Sequence, residues 1–65
     1  MGNKNKKVKE KTITRKREKI TLYRIGENCW TVVMEDVITD EVLVDYEFDN
    51  KKEAIEYFSE LYNSL

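Results

Sequence analysis

The side chains in this chain that could do chemistry are its carboxylates and one thiol. Carboxylates fall together as Glu35-Asp36, as Asp40-Glu41, and as Asp45, Glu47 and Asp49 at alternate positions. Paired carboxylates can divide acid and base roles, but only inside a pocket that shifts one of their pKa values. A chain of 65 residues buries too little surface to build much of a pocket. Cys29 is the single cysteine and there is no histidine, which excludes a Cys–His nucleophile and any zinc-finger arrangement. One cysteine also cannot close a disulfide within the chain. The run from Asp36 to Glu47 lacks the D-x-D-x-D-G spacing of a calcium loop. These residues predict no catalytic site, no metal and no cofactor, so an enzyme is not expected.

Charge is the more informative pattern. The net charge is −1, but the two ends of the chain differ. Residues 1–19 hold nine cationic side chains against two acidic ones, a net +7. Residues 20–65 hold three against eleven, a net −8. Such asymmetry suggests a charged partner rather than a particular fold. Lys4, Lys6, Lys7, Lys9, Lys11, Arg15, Lys16 and Arg17 could contact nucleic-acid phosphates. That segment has no interleaved aromatic residue on which bases would stack.

The elements that must position these charges can be read from periodicity. Residues 1–18 read as a basic, flexible N-terminal arm, with an extra edge strand over 8–16 as the alternative, since Thr12-Ile13-Thr14 favours extended structure. Residues 19–65 read as one small domain. Lys19 to Ile25 alternates as a strand, and Gly26-Glu27-Asn28 is a turn by residue type, Gly and Asn tolerating positive φ. A second strand opens at Cys29 or Trp30. Val42 to Phe48 is the cleanest strand: Val42, Val44, Tyr46 and Phe48 share one face, and Leu43, Asp45 and Glu47 the other. Asn50 followed by Glu53 forms a capping-box pattern, after which Ala54, Ile55, Phe58, Leu61, Tyr62 and Leu65 make one helical stripe.

The predicted fold is α+β: an antiparallel β-meander of three strands, or four with the N-terminal edge strand, and one C-terminal helix packed on one face. The predicted core is Ile20, Leu22, Trp30, Val32, Met34, Val44, Tyr46, Phe48, Ile55, Phe58 and Leu61. The outer sheet face then combines apolar Tyr23, Ile25, Val33 and Leu43 with acidic Glu35, Asp45 and Glu47. Glu53, Glu56 and Glu60 add an acidic stripe on the helix. The candidate partner-binding residues are therefore Val33, Glu35, Leu43, Asp45, Glu47, Glu53, Glu56 and Glu60.

Trp30-Thr31-Val32-Val33, Tyr46-Glu47-Phe48 and Lys51-Lys52-Glu53-Ala54 together resemble the sheet-plus-helix DNA-binding domain at the N-terminus of some transposon integrases. The likeness spans residues 20–63 and implies a fold. In that family the sheet enters the major groove with basic and polar side chains. Here the matching strands carry Glu35, Asp45 and Glu47, which argues against DNA binding by this sheet. In size and charge the chain is also similar to small phage inhibitors of host enzymes.

Three functional expectations follow. The first is a small non-enzymatic protein-interaction module, of the kind by which phages or mobile elements inhibit a host defence or nucleic-acid-processing protein. Its acidic surface would mimic nucleic acid. The second is a DNA- or RNA-binding accessory protein that uses the basic arm. The third is a homodimeric structural subunit. The chain shows no secretory-signal pattern, no membrane-spanning run and no myristoylation motif, so a cytoplasmic location is expected, in the host bacterial cell if phage-encoded.

Overall fold

A computed structural model describes residues 7–65. The chain runs β1 (Val8–Arg15), β2 (Glu18–Gly26), β3 (Cys29–Asp36), β4 (Val42–Phe48) and α1 (Lys51–Asn63). The strands form one open antiparallel sheet in the order β1-β2-β3-β4, and the helix lies on one face of it. The class is α+β. Of the segment read as arm or edge strand, Val8–Arg15 is strand β1, so the sheet has four strands. Lys4 and Lys6 lie outside the described residues.

Register assigns the two faces. Ile13, Ile20, Met34 and Val44 form one row across the sheet, and Lys11, Leu22, Val32 and Tyr46 the next. These rows face the helix. The core is Ile20, Leu22, Trp30 and Val32 from β2 and β3, closed by Ala54 and Phe58 of α1. Ile13, Met34, Phe48, Tyr57, Leu61, Tyr62 and Leu65 pack around it. Ile13 is the apolar side chain that anchors β1 to the core; Lys and Thr residues make up most of the rest of that strand.

Three predicted core residues lie elsewhere: Val44 is only half-buried on β4 and does not pack against the core cluster, and two more are exposed. Tyr46 is 58% exposed and Ile55 is 42% exposed. The helix sits over β2 and β3, so β4 projects beyond it and Tyr46 is left at the margin. There its ring meets Tyr57 edge-on at 5.3 Å and Phe48 at 6.1 Å. Ile55 points along the opposite flank of the helix, toward β1. Tyr57, absent from the predicted core, takes the inward position on the β4 side.

Three cations complete the inner face. Lys11 lies 5.3 Å from the Phe58 ring centre, Arg15 5.1 Å from that of Tyr62, and Lys51 5.3 Å from that of Trp30. Each lays an aliphatic stem along apolar surface while its charge meets the ring's negative face. In a core this small, these stems cover aromatic surface that no other element among the described residues covers.

Turns and caps follow from side-chain chemistry. The Asn50 side chain accepts a hydrogen bond from the Glu53 backbone N–H at 2.9 Å, the expected helix cap. Lys16 and Asp40 have positive φ, 58° and 62°, in the β1–β2 and β3–β4 turns. The Gly26-Glu27-Asn28 turn forms where expected, yet neither Gly26 nor Asn28 adopts positive φ, so its geometry does not rest on the property that suggested it.

Asp36 joins the two turns at one end of the sheet. Its carboxylate accepts from the N–H groups of Ile38 (2.8 Å) and Thr39 (3.1 Å) and from Arg17 Nε (3.1 Å). The Val37 N–H donates to the Arg17 carbonyl at 2.8 Å. The two backbone N–H bonds, aided by Arg17, hold the Asp36 carboxyl below its ordinary pKa of 3.8.

Trp30→Ala should cost about 3–5 kcal/mol in chemical denaturation, as for other buried aromatics. A loss below about 1 kcal/mol would remove Trp30 from the core. For Asp36, a lowered folded pKa means its stabilisation is fully present above 3.8 and is lost as pH falls through the folded value. The stability gap between wild type and Asp36→Asn should therefore close as the pH is taken from 7 down to about 2. A gap that stays constant would show that the charge of Asp36 does not matter.

Candidate interaction surface

The sheet separates charge by edge. β1 and its turn carry Lys7, Lys9, Lys11, Arg15, Lys16 and Arg17 along one side, and β4 carries Asp45 and Glu47 along the other. The helix follows the same polarity. Tyr57 touches β4 side chains, and at 3.6 residues per turn Glu53 and Glu60 fall on that flank, with Glu56 next to it on the solvent side. Lys51 and Ile55 line the opposite flank with Lys11 of β1. The acidic stripe expected on the helix therefore lies beside the acidic strand.

The outer face places the candidate residues in order. Thr12, Thr21, Val33 and Asp45 form one row, and Lys9, Tyr23, Thr31 and Glu47 the next. Val33 is only 6% exposed, and Thr21 and Thr31 are also buried. All three are short side chains on the central strands, flanked by the longer Lys19, Tyr23 and Glu35. Val33 thus offers little surface to a partner, and the proposed outer apolar patch is interrupted at its centre. Leu43 is exposed beside a β-bulge where β4 begins. Glu35 makes a 3.6 Å ion pair with Lys19, which partly neutralises it. Asp45 and Glu47 are exposed, as are Glu53, Glu56 and Glu60.

Apolar exposure is concentrated on β4 and the loop before it. Val37, Ile38, Val42, Leu43 and Tyr46 are all exposed, Ile38 at 71%. Alternation places Val42 and Tyr46 on the covered face; Tyr46 is uncovered because the helix stops short of β4, whereas the bulge between Met34 and Glu35 sets Val42 opposite Glu35 of the outer face. The sticky part of the molecule is therefore the β4 edge rather than the middle of the outer face. It combines bare backbone groups, apolar side chains and carboxylates.

Glu47 also borders an open cleft of about 450 Å³, lined by Asn28, Cys29, Glu47, Phe48, Asp49 and Glu53. The Cys29 thiol donates to Glu47 Oε2 at 3.1 Å. That hydrogen bond, reinforced by partial burial and by the Glu47 charge, raises the thiol pKa above its ordinary 9.0. A raised pKa keeps the sulfur protonated and a poor nucleophile. Among the described residues no group of three or more His, Cys, Asp or Glu side chains is arranged to hold a metal ion, and no helix is long and apolar enough to cross a membrane.

The cations proposed for phosphate contact are partly engaged. Arg17 pairs with Asp36, Lys11 and Arg15 stack on the helix aromatics, and Lys7 lies 5.3 Å over the Tyr23 ring. All six of the described cations, Lys7, Lys9, Lys11, Arg15, Lys16 and Arg17, remain exposed, and Lys9 and Lys16 have no such contact among the described residues.

The fold and surface define a small α+β domain with one basic and one acidic sheet edge. Comparison with protein-family models, curated proteins and solved structures gives no match.

Removing the Glu47 charge should make Cys29 more reactive. Glu47→Gln should speed alkylation of Cys29 by iodoacetamide near pH 8, because the thiolate fraction rises as the thiol pKa falls. An unchanged rate would show that the Glu47 contact does not control the thiol.

Proposed function

We propose that this chain is a small non-enzymatic interaction protein that binds a cationic, nucleic-acid-binding surface on another protein. Its acidic β4 flank stands in for a phosphate backbone. The observation that carries this reading is the segregation of unpaired carboxylates. Three ion pairs are present among the described residues: Arg17–Asp36, Lys19–Glu35 and Arg24–Glu10. None of them involves Asp45, Glu47, Asp49, Glu53, Glu56 or Glu60, which share one side of the molecule. Unneutralised charge held on a rigid sheet and helix steers a cationic partner and favours its binding over that of other surfaces. An inhibitor of a host nucleic-acid enzyme would work by such occupancy, with no chemical step of its own.

The engagement of Arg17, Lys11 and Arg15 within the fold favours this reading over nucleic-acid binding by the basic segment. Those cations already have partners within the fold, although all three remain exposed.

The test is competition. DNA-binding proteins from a bacterial lysate are loaded on duplex-DNA beads and challenged with the purified chain. Wild type should release a discrete set of them, and Asp45→Lys/Glu47→Lys should release far less. Equal release by both would sink the electrostatic reading. Retention of the chain itself on bare DNA beads would favour the nucleic-acid-binding alternative.

A further inference from the structure

We infer that the two free edges of the sheet fit each other, so that β4 of one copy pairs with β1 of the next in a head-to-tail, salt-sensitive assembly. This goes beyond the binding of another protein and rests on the edges themselves.

Like edges repel. Two β4 strands paired antiparallel about Tyr46 would set Asp45 against Glu47, and two β1 strands would crowd Lys9, Lys11 and Arg15 together in the same way. Directly opposed like charges destabilise a strand pair. Unlike edges attract, and the topology orients them correctly. Four antiparallel strands alternate in direction, so a copy moved sideways along the sheet brings its β1 antiparallel to the first copy's β4.

Register agrees at the level of single residues. Continuing the observed rows sets Val44 opposite Ile13, Asp45 opposite Thr12 and Tyr46 opposite Lys11 of the neighbour. Beyond them Glu47 falls in the row of Lys9, with Glu10 in the β1 bulge beside it and held by Arg24, and at the other end Glu41 falls in the row of Arg15, next to Lys16. Hydrogen-bonded and non-hydrogen-bonded pairs alternate along each row, so an even number of strands leaves matching outward groups on the two edges. The strands are 8 and 7 residues long.

The helices do not obstruct this contact. Successive copies would be offset by four strand spacings, roughly 19 Å, while a helix with its side chains is about 10–12 Å across. The exposed Val42, Leu43 and Tyr46 would gain cover from the incoming strand. A contact of this kind joins different surfaces on the two copies and need not close, so sheet twist would carry a longer assembly into an open helix rather than a symmetric dimer.

Sedimentation equilibrium of the full chain tests this first. At low salt the weight-average mass should rise with concentration to about twice the monomer's 7.8 kDa or beyond, and it should fall back in about 1 M salt, where charges are screened within roughly 3 Å. Asp45→Lys/Glu47→Lys and Lys9→Glu/Lys16→Glu should each be monomeric alone and should associate when mixed. All four positions are exposed, and circular dichroism confirms that each variant is folded. Cysteine pairs then identify the edges. In a Cys29→Ser background, Asp45→Cys mixed with Thr12→Cys should give an oxidised mixed dimer, and neither should cross-link alone. A wild-type monomer at every concentration overturns the inference, and so does self-linking of Asp45→Cys, which would mean that β4 pairs with itself. The Lys9→Glu/Lys16→Glu variant separates this result from the proposed function: it should lose self-association while still releasing proteins from DNA beads.

Discussion

One helix cannot cover four strands, and most of this structure follows from that mismatch. Four strands span roughly 14–19 Å, and the apolar stripe of a single helix is narrower. α1 therefore settles over β2 and β3, where Ile20, Leu22, Trp30 and Val32 meet Ala54 and Phe58. Both sheet margins are left to other devices. On the β1 side, Lys11 and Arg15 lay their stems over Phe58 and Tyr62. On the β4 side, Tyr46, Phe48 and Tyr57 pack edge-on and tilted against one another. The margins differ in chemistry because one is closed by cations and the other by aromatic rings.

That difference is also the basis of the charge polarity. A cation that covers an aromatic ring leaves its charge at the edge of the core, so β1 keeps a basic rim. β4 closes its side with rings, and its outward positions hold Asp45 and Glu47. β1 joins the sheet at the edge far from β4, so the charges of Val8–Arg15 do not neutralise the acidic flank. Three ion pairs are present among the described residues, and the carboxylates from Asp45 to Glu60 stand outside all of them. A chain of net charge −1 thus presents two faces of opposite sign.

Much of the fold was legible in the sequence. Alternation marked β2, β3 and β4, the Asn50 cap and helical stripe marked α1, and Ile20, Leu22, Trp30, Val32 and Phe58 were recognisable as core. β1 was ambiguous because Lys and Thr residues dominate it and Ile13 is its one apolar side chain directed at the core. Val44, Tyr46 and Ile55 were misplaced because a period shows which side of an element faces inward, not how far the covering element reaches. Val33 was taken as surface from its parity, although central position in a sheet can bury a short side chain without any layer above it. Of the candidate surface, Asp45, Glu47, Glu53, Glu56 and Glu60 were legible as exposed acids. The apolar exposure along β4 was not, because it depends on where the helix comes to rest.

The sequence by itself determined the α+β class, the order of the confident elements, the identity of the central core and the segregation of charge along the chain. These depend on local periodicity and residue type, which act over a few neighbours. The tertiary structure decided that β1 docks at the edge opposite β4, that the helix covers β2 and β3, and that charge separated along the chain becomes charge separated across a sheet. Those outcomes depend on long-range register and on the limited width of one helix, quantities that no short stretch of sequence contains. The carboxylates that first suggested chemistry therefore carry meaning through their shared position on one flank.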